Sequence, residues 1–165
     1  PKPYRRPAGG VGVGLCRTKS RGQIRLRSDS PDDPPIIDLE LLSHEEDVVQ
    51  LREAAKMTRN MFAAPALASY FLDERSPGSE LSQDAEIDDY IRAHSRLMYH
   101  ACGTCKMGVD DQAVVDPGLR VRGVGRLWVA DASIFPTIPA GNINATCIAV
   151  AEKAADLIKA EAKQL

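Results

Sequence analysis

The sequence predicts an α+β fold: an antiparallel β-sheet flanked by helices over roughly the first hundred residues, then a C-terminal strand-loop-helix. Three observations carry this. Apolar residues alternate with small or basic ones near the N-terminus, and two stretches between residues 43 and 98 repeat apolar residues at helical spacing. The tail then runs from a compact apolar strand through a Pro- and Gly-rich loop into a last amphipathic helix. With 165 residues, 44% of them apolar and 27% charged, the chain can bury the core of one globular domain.

Taken in order, Val11-Gly12-Val13-Gly14-Leu15 and Ile24-Arg25-Leu26-Arg27, separated by Ser20-Arg21-Gly22, predict a hairpin. The glycines do not form a dinucleotide-binding loop. Counted from Gly10 the third position of G-x-G-x-x-G falls on Leu15, counted from Gly12 it falls on Arg17, and no helical pattern follows. Ser28-Asp29-Ser30-Pro31-Asp32-Asp33-Pro34-Pro35 reads as a surface turn ahead of Ile36-Ile37. Ser43 with Glu46 has capping-box spacing, and Val48, Val49, Leu51, Ala55, Met57 and Phe62 form a stripe, so a helix is expected from Ser43 to Ala63, ending at Pro65. A second helix is expected from Asp84 to Met98, with acidic residues in its first turns where the helix dipole favours them.

After His100 the pattern becomes a series of short segments. Val114 to Gly118 is a turn, Leu119-Arg120-Val121 a short strand, Gly123-Val124-Gly125 a second turn, and Leu127-Trp128-Val129-Ala130 an apolar strand ending in Asp131. Pro136, Pro139 and Gly141 hold a loop open. Asn144 then caps a helix from Ala145 to Lys159, whose expected apolar face is Ile148, Ala151, Ala155 and Ile158.

Charge and cysteine content narrow the function classes. With 21 basic and 23 acidic side chains the net charge is -2, which offers no basic excess to neutralise phosphates, so no nucleic-acid partner is expected. No apolar run approaches the roughly 20 residues that span a bilayer, and the first residues lack the apolar core of a signal peptide. The chain opens without Met and enters a strand-like pattern at once, so it reads as a piece of a larger protein, with the cytoplasm as the default expectation for location. Cys16, Cys102, Cys105 and Cys147 are too scattered for a disulfide framework. Cys102 and Cys105 with His100 leave three uses open on the residues alone: a zinc site, a thiol-redox pair, or packing. The apolar strand, Asp131 and the helix N-terminus behind the loop suit an uncharged-to-anionic ligand, although periodicity alone favours an ordinary strand-loop-helix connection.

The residues that decide between these readings are motifs. H-A-C-G-T-C-K-M-G from His100, V-V-D-P-G-L-R-V-R-G-V from Val114, L-W-V-A-D-A-S-I-F-P from Leu127, G-N-I-N-A-T from Gly141 and A-E-K-A-A-D-L-I from Ala151 follow one another in this order. Together they closely resemble the C-terminal region of glucose-methanol-choline (GMC) oxidoreductases, and upstream K-S-R-G-Q-I-R-L-R-S resembles the opening of that family's substrate domain. The resemblance implies FAD as cofactor, a small-molecule alcohol as substrate, hydride transfer from the carbinol carbon to flavin N5, and oxygen or a quinone-like electron acceptor.

It also implies roles for particular residues. His100 lies beside the flavin and is the candidate base, because oxidising an alcohol releases the hydroxyl proton and an imidazole, with an ordinary pKa of about 6.5, suits that task. Asn142 occupies the family's second active-site position, which carries His or Asn, and would hold the substrate oxygen without acting as a base. Asp131 and Ala132 match positions near the FAD ribityl and pyrophosphate, while Asn142, Ile143, Asn144 and Ala145 run close to the flavin ring. The last helix would aim its positive end at the ring edge where reduced flavin gathers negative charge. Cys105 falls on a motif position used for packing, and no metal is implied. Substrate choice would rest on Tyr99 and on side chains around Phe135 to Pro139.

The expected division is a substrate-binding part in residues 1–110 and a segment, 111–165, that returns to the FAD-binding domain. That domain's Rossmann part, with its Gly-rich pyrophosphate loop, would be the partner, and the chain alone is expected to be inactive. Two other functions fit the same motifs: a stand-alone module without chemistry, and a lyase of the hydroxynitrile type that keeps FAD as structure. His100 together with an intact G-N-I-N loop favours the oxidoreductase over the module.

Overall fold

A computed structural model of the chain describes residues 8–163. Its contacts group into two compact units, one built from His44–Ser95 with the described residues up to Leu15, the other from Cys16–Ser43 with the chain from Arg96 onward.

The first unit is helical. Helix α1 spans Glu45–Ala63, and its cap is His44, whose ring nitrogen accepts from the Glu46 N–H; the sequence had pointed to Ser43. The helix ends where Ala64 turns extended ahead of Pro65, as the restriction on residues preceding proline requires. Pro65 then starts a one-turn helix, α2 (Pro65–Ala68), which the periodicity did not reveal because four residues are too few to show a stripe. Helix α3 covers Asp84–His94, opened by a capping box between Gln83 and Glu86. It stops four residues short of Met98, because Ser95 is already extended. Val48, Ile87 and Ile91 are buried where α1 meets α3. From α1, Arg59 donates two hydrogen bonds to the Glu74 carboxylate and one each to the Leu81 and Gly78 carbonyls, fixing the connection between α2 and α3.

In the second unit, strand β1 (Gln23–Arg25) pairs antiparallel with β2 (Ile36–Asp38), Ile24 opposite Ile37. This corrects the expected hairpin, since Val11–Leu15 forms no strand. Two of its five residues are glycines with no side chain to pack across a ladder, whereas Ile36-Ile37 follow two prolines that already hold the chain extended. The Ser- and Asp-rich turn is the loop of this hairpin: Ser28 Oγ donates to Asp33, and Arg27 to the Pro34 carbonyl. Gly22 is required at its mouth, because a Cβ there would run into the Asp38 and Leu39 backbone.

Beyond Arg96 the backbone is held by isolated bridges, Met107 with Val115, Val115 with Val121, and Arg120 with Trp128, where short strands were expected. These surround a core of Val115, Leu119, Ile134, Phe135 and Ala154. Ala154 lies on α4 (Asn144–Ala162), and Cys147, Val150 and Leu157 of that helix pack on the same core. The buried face is therefore rotated by one residue from the expected stripe, and Ile148 stands 56% exposed. Asn144 is the first helical residue, and the cap position falls to Ile143, which has no side chain to offer. Among the described residues no helix is long and apolar enough to cross a membrane.

The phase of α4 has a direct check. Ala154 is 2% exposed, so Ala154→Leu should overpack the core and lower stability by about 1–3 kcal/mol in urea unfolding. Ala151→Leu, on an exposed position, should stay within about 0.5 kcal/mol. Equal losses at both positions would mean the helix buries a different face.

Candidate active site

The site is assembled from two chain segments that core packing draws together. Residues 103–107 lie alongside the turn at 132–135, where the Cys105 N–H donates to the Ser133 carbonyl at 2.9 Å and the Met107 N–H to the Ile134 carbonyl at 2.8 Å. Gly103, in the left-handed region at φ +93°, passes close enough to Phe135 that a Cβ would sit 3.4 Å from its carbonyl oxygen. Cys102 packs against the core beside this turn, which places the preceding residues, Tyr99 and His100, at its edge.

On the other side, Phe135 leads into the loop with Pro136 and Pro139. The Gly141 N–H closes a tight turn onto the Pro139 carbonyl at 2.7 Å, and Gly141 adopts φ +150°, a conformation that side chains disfavour. The reversal delivers Asn142 to His100: Asn142 Oδ1 lies 3.1 Å from His100 Nε2. The imidazole is half-buried, and its Nδ1 is buried without a hydrogen-bond partner among the described residues. Ile143 follows at once in the cap position of α4, which opens on exposed Asn144 and Ala145 and whose first N–H groups receive no side-chain cap.

Asp131 and Ala132 sit on the other end of the same turn. The Asp131 carboxylate accepts from the Ser133 N–H at 2.8 Å and from the Ser133 hydroxyl, closing a one-turn 3₁₀ helix, Ala132–Ile134. These bonds hold its pKa below the ordinary carboxylate value, against a small opposing effect of burial. Ser133 is the residue the sequence reading missed; an Asp two residues before a Ser at the start of a turn was the available signal.

Of the other residues singled out in the sequence, Tyr99 is almost fully exposed and held at φ +61°, unusual for a bulky side chain. Phe135 is buried at 6% exposure and belongs to the core. Cys102 and Cys105 are free thiols, and burial pushes the Cys102 thiol up while the Arg21 charge pulls it down. A thiol held protonated is a packing group more than a nucleophile. Among the described residues no cluster of three or more His, Cys, Asp or Glu could hold a metal ion.

A family model described as GMC oxidoreductase matches residues 18–151. Over 147 residues the chain is 48% identical to an oxygen-dependent choline dehydrogenase of Klebsiella pneumoniae, covering 89% of this chain and 26% of that protein. It is 44% identical over 149 residues to the Escherichia coli protein of the same name, covering 90% of this chain and 27% of that one. The chain thus spans about a quarter of the length of these relatives. Among solved structures, pyridoxine 4-oxidase from Mesorbium loti superposes with a TM-score of 0.81 at 36% identity, over 91% of this chain and 30% of that one. A formate oxidase from Aspergillus oryzae, studied for the effect of a mutation on FAD modification, gives 0.85 at 32% identity, over 97% of this chain and 29% of that one.

The Asp131 turn has a measurable signature. Because its folded pKa is depressed, the stability it contributes is fully present above the unfolded value, about 3.9 for Asp, and is lost as pH falls through the lower folded value. In a carboxyl ¹³C titration, Asp131 should protonate below the ordinary Asp range, and Ser133→Ala should move it back upward. A midpoint that Ser133→Ala leaves in place would assign the depression to another group.

Proposed function

The chain belongs to the GMC oxidoreductase family, and from that premise we propose that it forms the catalytic and substrate-binding part of an FAD-dependent enzyme that oxidises a CH–OH group to a carbonyl. The observation that carries the proposal is the His100–Asn142 pair, an imidazole and an amide brought within 3.1 Å from positions 42 residues apart. Alcohol oxidation needs a group to receive the hydroxyl proton and a group to hold the oxygen while the carbinol hydrogen leaves, and these two side chains supply both.

The surrounding residues fit a flavin. Uncapped N–H groups open α4, beside an exposed amide at Asn142 and an ionised carboxylate at Asp131, a donor and acceptor set suited to the polar edge of a flavin and to its ribityl hydroxyls. Bound there, FAD would supply the hydride acceptor. His100 would take the hydroxyl proton, and Asn142 would orient the substrate oxygen. Ile143, Asn144 and Ala145 would present the positive helix end, and Asp131 with Ala132 would face the cofactor's sugar-phosphate portion. The exposed Tyr99 would border the substrate. Residues 1–110 are proposed as the substrate-binding part and 111–165 as the segment completing the FAD-binding part, with oxygen or a quinone-like acceptor closing the cycle. Substrate choice among alcohols follows from side chains outside the His100–Asn142 pair.

Joined to its FAD-binding portion and loaded with FAD, the chain should bleach the flavin anaerobically on addition of an alcohol, choline being a first trial given the name of its relatives. Absence of bleaching with every alcohol would sink the oxidation reading and leave the lyase or the non-catalytic module. In the same assay His100→Ala should slow flavin reduction by about 10²-fold or more with FAD still bound; an unchanged rate would remove His100 from the base role.

A further inference from the structure

Every polar group of Ser133 is engaged, and its bonds run to two different parts of the site. Its N–H and its hydroxyl both donate to Asp131 Oδ1, while its carbonyl accepts from the Cys105 N–H at 2.9 Å. A turn opened by an aspartate needs only the first of these bonds to close. The hydroxyl brings a second donor to the same oxygen, so the carboxylate is held by Oδ1 alone, and Oδ2 meets no donor among the described residues. Within the turn the Ile134 N–H donates to the Asp131 carbonyl, and the Ile134 carbonyl accepts from Met107. The turn thus presents two acceptors to the segment that follows His100, and its own chain continues through Phe135 to Asn142. From this arrangement we infer that Ser133 is a positioning residue whose hydroxyl, by fixing Asp131 Oδ1, sets the turn that aligns the His100 segment with Asn142 and leaves Asp131 Oδ2 open to a ligand.

The two oxygens of one carboxylate then do separate work. The last torsion of an aspartate side chain is broad, so a carboxylate taken up by a single bond swings about it. Two donors from one residue on one oxygen remove that freedom. Without the hydroxyl, Asp131 keeps one bond to the turn, and the Ser133 and Ile134 carbonyls lose the brace behind them. Each backbone bond that those carbonyls receive is weak on its own. A loosened turn therefore shows first at the Cys105 and Met107 amides, and next in how closely Asn142 meets His100. Ser133 acts on substrate and cofactor only through these neighbours.

The inference rests on the alcohol-oxidising reading for what the alignment serves, and its test keeps the two apart. In the full-length FAD-loaded enzyme, hydrogen exchange is followed by mass spectrometry over residues 103–108, with residues 116–122 as the control stretch. Ser133→Ala should speed exchange of the Cys105 and Met107 amides by about fivefold and leave the control stretch unchanged. It should slow flavin reduction at saturating alcohol by about the same factor, while the alcohol concentration giving half the maximal rate stays within about twofold. Ser133→Thr keeps the hydroxyl and should restore both values. Asp131→Asn keeps an oxygen at Oδ1 and replaces only Oδ2, so it should leave exchange over 103–108 within about twofold and weaken FAD binding instead. Exchange over 103–108 untouched by Ser133→Ala, or raised as much by Asp131→Asn, overturns the inference. Exchange raised equally over the control stretch would make Ser133 a general stabiliser and overturns it too, as does faster exchange with an unaltered reduction rate. If no alcohol bleaches the flavin, the oxidation reading falls, and the exchange results still decide whether Ser133 holds the turn.

Discussion

The placement of His100 and Asn142 rests on two backbone hydrogen bonds, from the Cys105 and Met107 N–H groups to the Ser133 and Ile134 carbonyls. They join two segments that contain almost no regular strand, and they do so directly above the buried Ile134 and Phe135. Each such bond is worth only about 1 kcal/mol net. Their weight comes from what they align: the segment ending in His100 on one side, and on the other the turn that opens with Asp131 and continues to Asn142. Together with the packing beneath them, they bring an imidazole against an amide 42 residues away.

Backbone conformation pays for this placement in known ways. Tyr99 and Gly141 flank the pair from either side, both at positive φ, and Gly103 completes the bend after His100. Glycine takes such angles at little steric cost, whereas Tyr99 gives up roughly 1–2 kcal/mol to adopt one. A bulky residue kept in that conformation, with its ring almost wholly in solvent, contributes nothing to the core that would offset the strain. Its place beside His100 fits the tendency of backbone strain to concentrate where a site is shaped.

Much of this was legible in the residues, and the failures have identifiable causes. The three long helices announced themselves through apolar stripes, joined in α3 by an acidic first turn, because those signals are local. Strand pairing was misread because alternation marks a strand without naming its partner; Ile24 was recognised, yet Ile37 was seen only as an apolar pair after a turn. The phase of α4 was misread for a different reason. Its residues Cys147, Ile148, Val150, Ala151, Ala154, Ala155, Leu157 and Ile158 are apolar around more than half the circumference, so two adjacent faces scored alike and only the tertiary core separates them. His100 and Asn142 were singled out through motif resemblance. Their spacing along the chain carries no hint of contact, which the folded loop alone creates. Ser133 escaped notice because its role is to hold a neighbour, which no periodic pattern records.

If the pair works as proposed, the identity of residue 142 would set how protons move through the site. Two imidazoles facing one another could divide a proton between them and exchange roles as donor and acceptor within one turnover. An amide has no such freedom, since its oxygen only accepts and its nitrogen only donates, and neither end titrates. With Asn142 opposite His100, the proposed reaction would leave the single imidazole as the proton carrier of the pair. The arrangement gains a fixed orientation for the oxygen and gives up a second carrier. The rate at which the ring rids itself of a proton thus becomes a property of one residue and of the water that reaches it, a simpler and more constrained solution than a shared pair.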